Sequence, residues 1–438
     1  MLKRLHLERF KSFKEADLLL GPLTLLVGTN ASGKSNIRDA FRFLHGISRG
    51  YALADIFGEK YLGGSLEWEG IRGGTREVTF QGAPTFVVAA KADTGGPFTV
   101  PLAIPMGLGS VDRATGDYRI EVECGEVGKS PRVVAERLYV DGVRIFDSHP
   151  MFGSVPDDAP LPPYDRAHLK VEVLVEETGR PSMLAFLNQQ PVLSQLTDDP
   201  RVSSPMRERA RLTLGAFRSM RFLDLSVEAM RKPSLPGQLV LGDRGENLSS
   251  VLQDICEDPA RKRTLISWLQ ELTPMDARDF EFPADPAGKV LLTLVEENGQ
   301  RVSANSASDG TLWFLGVLAA MFGSESARFY FFEELENGIH PTRLHLLLQL
   351  IEQNVSQGNI QVVATTHSPY LLALASRGTL EHASLTYRLP DQPDTKTKRI
   401  LDMPDAARLI EEQDLASLHA SGWLENVMIF TEGGEAAG

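Results

Sequence analysis

Hydrophobic positions change period twice along this chain. Leu2, Leu5 and Leu7 are separated by charged or polar residues, the pattern of a half-buried strand. Residues 18–20 and 23–27 are continuous apolar runs, as expected of strands covered on both faces. After Gly33 the period becomes helical: Ile37, Ala40, Phe41 and Leu44 fall at i, i+3, i+4 and i+7 and share one face. The opening therefore predicts three strands and a helix, with a glycine-rich turn before the helix. From about residue 63 to 176, short alternating runs at 75–80, 85–89, 118–122 and 132–140 are broken by Gly, Pro and Asp, which predicts an antiparallel β region. From about 190 to 272 the pattern is helical and Arg-rich, without the sustained heptads of a coiled-coil arm. Residues 290–296 read as a strand. From Thr311 onward helix and strand alternate again, through TLWFLGVLAAMF, RFYFF, LHLLLQLIEQ and IQVVATT, the texture of a parallel sheet. The fold class expected is α/β, with both ends of the chain sharing one domain and a long middle interrupting it.

Composition narrows this picture. The 438 residues are 42% apolar and 24% charged, ordinary for a globular chain with a sizeable core. Lys and Arg number 45 against 58 Asp and Glu, a net charge of −13, so the surface as a whole is not built to grip nucleic acid. A local patch is a different matter. Arg201, Arg207, Arg209, Arg211, Arg218 and Arg221 are crowded together, with Arg261-Lys262-Arg263 further on, and could hold a DNA backbone. The alternative is a solvated basic face paired with the many carboxylates. Two cysteines cannot form a disulfide framework, which points to a reducing compartment. The N-terminus has no unbroken apolar core of a signal peptide, and the longest apolar stretch, 315–322, is far short of the ~20 residues of a membrane helix. The expectation is a soluble cytoplasmic protein with no membrane contact.

The strongest chemical signal is Gly28-Thr29-Asn30-Ala31-Ser32-Gly33-Lys34-Ser35-Asn36, a G-x-x-x-x-G-K-[ST] sequence between a buried strand and a helix. Glycines let successive N–H groups face phosphate oxygens, and the helix N-terminus adds partial positive charge. Residues Asn30 to Asn36 are thus candidates for nucleotide binding, with Lys34 reaching the β- and γ-phosphates and Ser35 ligating Mg²⁺. A P-loop needs an acidic partner at the end of another strand. Four aromatics, 329–332, end in Glu333 and Glu334: the first a candidate metal ligand, the second a general base for water. His367 terminates the apolar run 360–366, where a neutral imidazole could bond a γ-phosphate. Ser308 and Gly310 precede the apolar run 312–322 and offer a second anion site, or simply a helix cap.

Walker A, a Ser-x-Gly signature, Walker B with an adjacent Glu and a switch His, in this order, resemble ABC-class ATPases. The opening LHLERFKSFKEADLLLGPLTLLVGTNASGKSN is similar to the SMC/RecF-like branch, and EELENGIHP is similar to the EEPENGIHP box of OLD-like ATPases found in phage-defence operons. GDRGENLSSVLQDI, SASDGTLWFLGVL and TTHSPYLL extend the likeness. The resemblance implies an ABC-type P-loop ATPase head using ATP and Mg²⁺. Its parts are residues 1–180 with the P-loop and antiparallel β region, a helical insert at 181–300, and 301–438 with the signature, Walker B, D-loop and switch His. It also implies a homodimer or higher homo-oligomer that sandwiches ATP. There Ser308 and Gly310 of one chain cap the γ-phosphate held by Lys34 of the other, with Asn337 and His340 in a D-loop facing the partner. Glu333 for the usual Asp, Ala307 before the signature Ser and Leu335 for Pro depart from the pattern. Gln81 is the candidate for the Q-loop, with a surface glutamine as the alternative.

OLD nucleases carry a TOPRIM domain after the ATPase; the segment after His367 is too short for one. The run VMIFTEG at 427–433 is only faintly similar to a TOPRIM start and reads as coincidence. Two function classes follow. In one, ATP-driven head dimerisation gates a DNA-linked activity in anti-phage or plasmid defence, with a separate nuclease-like effector. In the other, a slow or non-hydrolysing ATP-bound oligomer is a scaffold that restrains an effector. A transporter subunit is disfavoured by the long insert between Lys34 and Glu333, a GTPase by the absence of N-K-x-D, and a protein kinase by the absence of H-R-D and D-F-G.

Overall fold

The computed structural model describes residues 1–93, 115–124, 129–148, 167–273, 276–323, 327–337, 339, 341–358, 360–389 and 392–403. His340 and residues 427–433 lie outside them. The chain divides into two compact units. The first comprises Met1–Gly21, Thr29–Met220 and Thr386–Arg399; the second comprises Pro22–Gly28, Arg221–Leu385 and the residues from Ile400 on. The class is α/β, as the hydrophobic periods require.

The first unit is built on an eight-stranded sheet. Its spatial order is Pro181–Leu187, His168–Leu174, Val143–Asp147, Arg132–Val140, Thr115–Glu123, Thr85–Asp93, Leu2–Phe10 and Phe13–Leu19. Every neighbouring pair is antiparallel. Alternation in the sequence becomes alternation of burial: Leu5, Leu7 and Phe10 are inside, while Lys3 and Arg4 are exposed. The helix Lys34–Ser48 buries the stripe foreseen, Ile37, Ala40, Phe41 and Leu44, and adds Phe43 and Ile47. Phe43 meets Phe86 edge-on at 5.5 Å and stacks on Phe57 at 5.7 Å, and Phe86 meets Phe10 at 5.3 Å. Such pairs contribute roughly 0.5–1.5 kcal/mol each beyond area burial. Helix Ser204–Arg218 lies against this one, and His45 donates Nδ1–H to the Phe217 carbonyl at 3.0 Å.

Glu136, on the strand Arg132–Val140, is buried. Its carboxylate accepts from Tyr118 Oη at 2.9 Å, Val192 N at 2.6 Å and Leu193 N at 2.8 Å. Burial pushes this carboxyl up to about 7, and the three hydrogen bonds hold it from rising further. The run 75–80 is not the strand its alternation suggests. It contains the short helix Gly74–Glu77 and begins the 3-10 turn Phe80–Gly82, because Gly73, Gly74 and Gln81 take φ of 78°, 54° and 48°, which an extended strand cannot hold.

A second, six-stranded sheet has the order Met220–Leu223, Phe329–Phe332, Gln361–Thr366, Leu23–Val27, Ser384–Arg388 and Thr395–Arg399. The four from Phe329–Phe332 to Ser384–Arg388 run parallel. The three central strands are buried at every residue, which is why they read as unbroken apolar runs. Met220–Leu223 corrects the expectation of a purely helical stretch from 190 to 272: four residues, M-R-F-L, show no period of their own, and the strand exists through its place in the sheet. The strand expected at 290–296 is shorter, Thr293–Glu296, and belongs to a separate antiparallel sheet with Ala277–Glu281 and Arg301–Ser303. Helix Asp309–Phe322 is buried from Thr311 to Met321 and packs against Leu248–Glu257 and Pro259–Leu272, so its sequence is apolar all round. No helix among the described residues is long and apolar enough to cross a membrane.

Candidate functional site

Gly28 follows the central strand Leu23–Val27, and the chain continues into the loop that opens helix Lys34–Ser48. The loop's turn is fixed by backbone bonds from Ser32 N to Thr29 O at 3.2 Å and from Asn36 N to Gly33 O at 2.9 Å. Gly33 sits at φ 105°, and a Cβ there would lie 2.7 Å from Thr395 Cγ2 and 3.2 Å from Ser12 Oγ. Only glycine fits. Thr29, Asn30 and Ala31 are exposed, and Ala31 is also left-handed, at φ 64°. Lys34 donates Nζ to Thr29 O at 2.9 Å. Ser32 is 4% exposed, and its hydroxyl has no hydrogen-bond partner among the described residues.

A support layer lies behind this loop. Asn36 Nδ2 donates to Ser12 Oγ at 2.7 Å, Thr395 Oγ1 to the same oxygen at 2.8 Å, and Thr395 N to Ser12 O at 2.7 Å. On the other side Arg72 donates to Ser35 O at 2.7 Å and pairs with Asp39 at 3.2 Å; Lys11 Nζ lies 2.6 Å from the same Asp39 oxygen. Lys11 and Ser12 sit in the F-K-S-F opening, so a sequence signal existed for them. Arg72 and Thr395 carried none, since nothing local marks a residue that meets the loop only after folding.

In the second unit, strand register determines where the acidic and histidine candidates stand. Thr366 is level with Val27, and Phe332 is level with Ala364. Gly28, Glu333, Glu334 and His367 therefore all emerge at the carboxyl end of adjacent parallel strands, where ligands collect in sheets of this kind. Glu334 N donates to Thr365 Oγ1 at 2.9 Å, and Leu335 N to Thr365 O at 3.1 Å. These bonds hold Glu334 at φ 49°, a left-handed conformation unusual for a non-glycine residue, with its side chain exposed. Asn337 N closes the turn onto Glu334 O at 2.8 Å. His367 is held by Glu336, a residue the sequence did not single out: Glu336 Oε1 accepts from His367 N at 2.8 Å and lies 3.1 Å from Nδ1.

Ser308 caps helix Asp309–Phe322. Its Oγ accepts from Thr311 N at 3.1 Å and lies 2.7 Å from Thr311 Oγ1. Gly310 follows in the first turn, and Arg231 ties the segment down through Asp309 at 2.6 Å and the carbonyls of Ala304 and Asn305. Of the arginine cluster, Arg201 forks onto Asp199, and Arg211 pairs with Asp198 at 3.4 Å and Glu208 at 3.7 Å. Part of that charge is thus matched locally. Gln81 is exposed in the turn before strand Thr85–Asp93. Cys124 and Cys256 are free thiols that burial pushes up to about 12, so neither is a ready nucleophile.

A glycine loop with no room for a Cβ and, within the second unit, carboxylates and a histidine at the ends of parallel strands are features of the P-loop class. The family follows from the sequence: residues 23–105 and 143–373 match the family described as "AAA domain, putative AbiEii toxin, Type IV TA system", and the chain belongs to it. A comparison with curated proteins returns no match. Among solved structures, the chain is similar to an Smc head bound to the C-winged helix domain of ScpA, with 14% identity, a TM-score of 0.48 and coverage of 91% of this chain and 97% of that one. It is also similar to the SMC head domain from Thermotoga maritima, with 13% identity, a TM-score of 0.41 and coverage of 91% and 98%. A third is the Smc head domain with an extended coiled coil bound to the C-terminal domain of ScpA, derived from Pyrococcus furiosus, with 12% identity, a TM-score of 0.46 and coverage of 94% and 98%.

Proposed function

We propose that this protein is an Mg²⁺-dependent ATPase of the SMC/RecF/OLD-like kind, whose heads dimerise around ATP and thereby gate a DNA-linked activity in anti-phage or plasmid defence, together with a separate effector. The observation that carries the ATPase reading is the strand register that sets Gly28, Glu333, Glu334 and His367 at the carboxyl ends of adjacent parallel strands. When bound, ATP supplies a phosphoanhydride whose terminal phosphoryl group can pass to water. Lys34 and the loop N–H groups would bind the phosphates, and Ser35 and Glu333 would hold the metal ion. Glu334, exposed and fixed at its backbone, takes the proton from water, and His367 contacts the terminal phosphate. The family description, with its toxin–antitoxin association, supports the defence role. The Arg201–Arg221 cluster is the surface we assign to DNA, with Arg201 and Arg211 matched in part by acids.

Radiolabelled-ATP hydrolysis and binding test the ATPase reading. Lys34→Ala is expected to lose ATP binding. Glu334→Gln is expected to bind ATP at wild-type affinity and to lose ~100-fold or more in turnover, as removal of a general base does. Retained affinity in the first or wild-type turnover in the second overturns the corresponding assignment. A wild-type chain that binds ATP without hydrolysing it moves the scaffold reading ahead.

A further inference from the structure

We propose that Glu336 is a positioning residue that sets the ring orientation and proton placement of His367; the inference rests on the ATPase reading above. One oxygen, Glu336 Oε1, receives the His367 backbone N–H at 2.8 Å and lies 3.1 Å from its Nδ1. A carboxylate oxygen accepts, so the proposal places a proton on the facing Nδ1 and leaves Nε2 for other contacts. The burial is asymmetric: the Glu336 side chain is 9% exposed, the His367 side chain 52%. A carboxylate taken out of water anchors an imidazole that stays in it. The second oxygen, Glu336 Oε2, is buried with no hydrogen-bond partner among the described residues, an arrangement that is unfavourable by itself.

The bridge has a mechanical consequence. Glu336 stands two residues after Glu334 in the turn closed by Asn337 N onto Glu334 O. His367 follows the next strand, Gln361–Thr366. One side chain therefore couples the loop of the proposed base to the loop of the phosphate-contacting histidine, so neither moves alone.

Steady-state kinetics and nitrogen-15 histidine NMR of the full chain test this. Glu336→Ala should lower kcat by about 10- to 100-fold with the ATP KM within about 2-fold, as loss of a group that orients a catalytic residue does. Glu336→Gln keeps a carbonyl oxygen for both donors and should retain most of the turnover. The Glu336→Ala/His367→Ala double variant should be no slower than His367→Ala alone. In the nucleotide-free chain the neutral His367 should show an Nδ1–H signal that Glu336→Ala loses and Glu336→Gln keeps. Wild-type kcat in Glu336→Ala, additive losses in the double variant, or an Nδ1–H signal unaffected by Glu336→Ala overturns the proposal. If the wild-type chain has no ATPase activity, the parent reading has failed, and the NMR comparison alone decides whether Glu336 orders the ring.

Discussion

At the residue scale, Glu136 shows how a buried carboxyl makes stability depend on pH. Its folded value of about 7 lies above the ordinary 4.5, so between those two pH values the folded chain keeps a proton that the unfolded chain releases. The stabilisation from this group is complete below about pH 4.5 and is lost as pH rises through about 7. Unfolding by denaturant at about pH 5 and about pH 8 should therefore show wild type losing stability relative to Glu136→Gln as pH rises. The variant should also be less stable at low pH by about 1–3 kcal/mol, because its amide N–H group would face the Val192 N–H donor. A wild-type-to-variant difference that does not change with pH would remove Glu136 from this role. The sequence marked Lys34, Glu334 and His367, whose positions after apolar runs are local facts. It did not mark Glu136 or Glu336, whose character comes from burial and from partners on other segments.

At the element scale, the phosphate loop depends on a glycine for two separate reasons. Gly33 needs φ 105°, and its missing Cβ leaves room for Thr395 and Ser12. Gly33→Ala should therefore destabilise the chain by about 1–3 kcal/mol and weaken ATP binding by at least about 10-fold, read by thermal unfolding and calorimetry. Unchanged affinity would mean that the loop tolerates a backbone other than the one seen. The same scale explains which elements were legible. Leu23–Val27, helix Lys34–Ser48 and helix Asp309–Phe322 each carry their own period, and their burial follows it. The run 75–80 alternates like a strand, but flanking glycines at positive φ turn it into helix and turn. Met220–Leu223 is a strand only through its place beside Phe329–Phe332.

At the scale of the whole molecule, the ATP-sandwich proposal concerns mass. Glu334→Gln, expected to hold ATP unhydrolysed, should double its solution mass or more with Mg-ATP, measured by light scattering. Ser308→Arg in that background should prevent the increase. Because Ser308 also caps its helix, the second change should cost about 1 kcal/mol in stability, and a melting curve checks that the chain is still folded. A mass already fixed without ATP, or unaffected by Ser308→Arg, would rule out ATP-driven pairing through this signature. The α/β class, the phosphate loop and the order of the acidic and histidine elements were determined by the sequence alone, because each rests on residues within a few positions of one another along the chain. The support of the loop by Ser12, Thr395 and Arg72 and the backing of His367 by Glu336 were decided only by tertiary structure. A hydrogen bond or an ion pair needs two groups within a few ångströms, and folding brings Ser12 to Thr395 across most of the length of the chain.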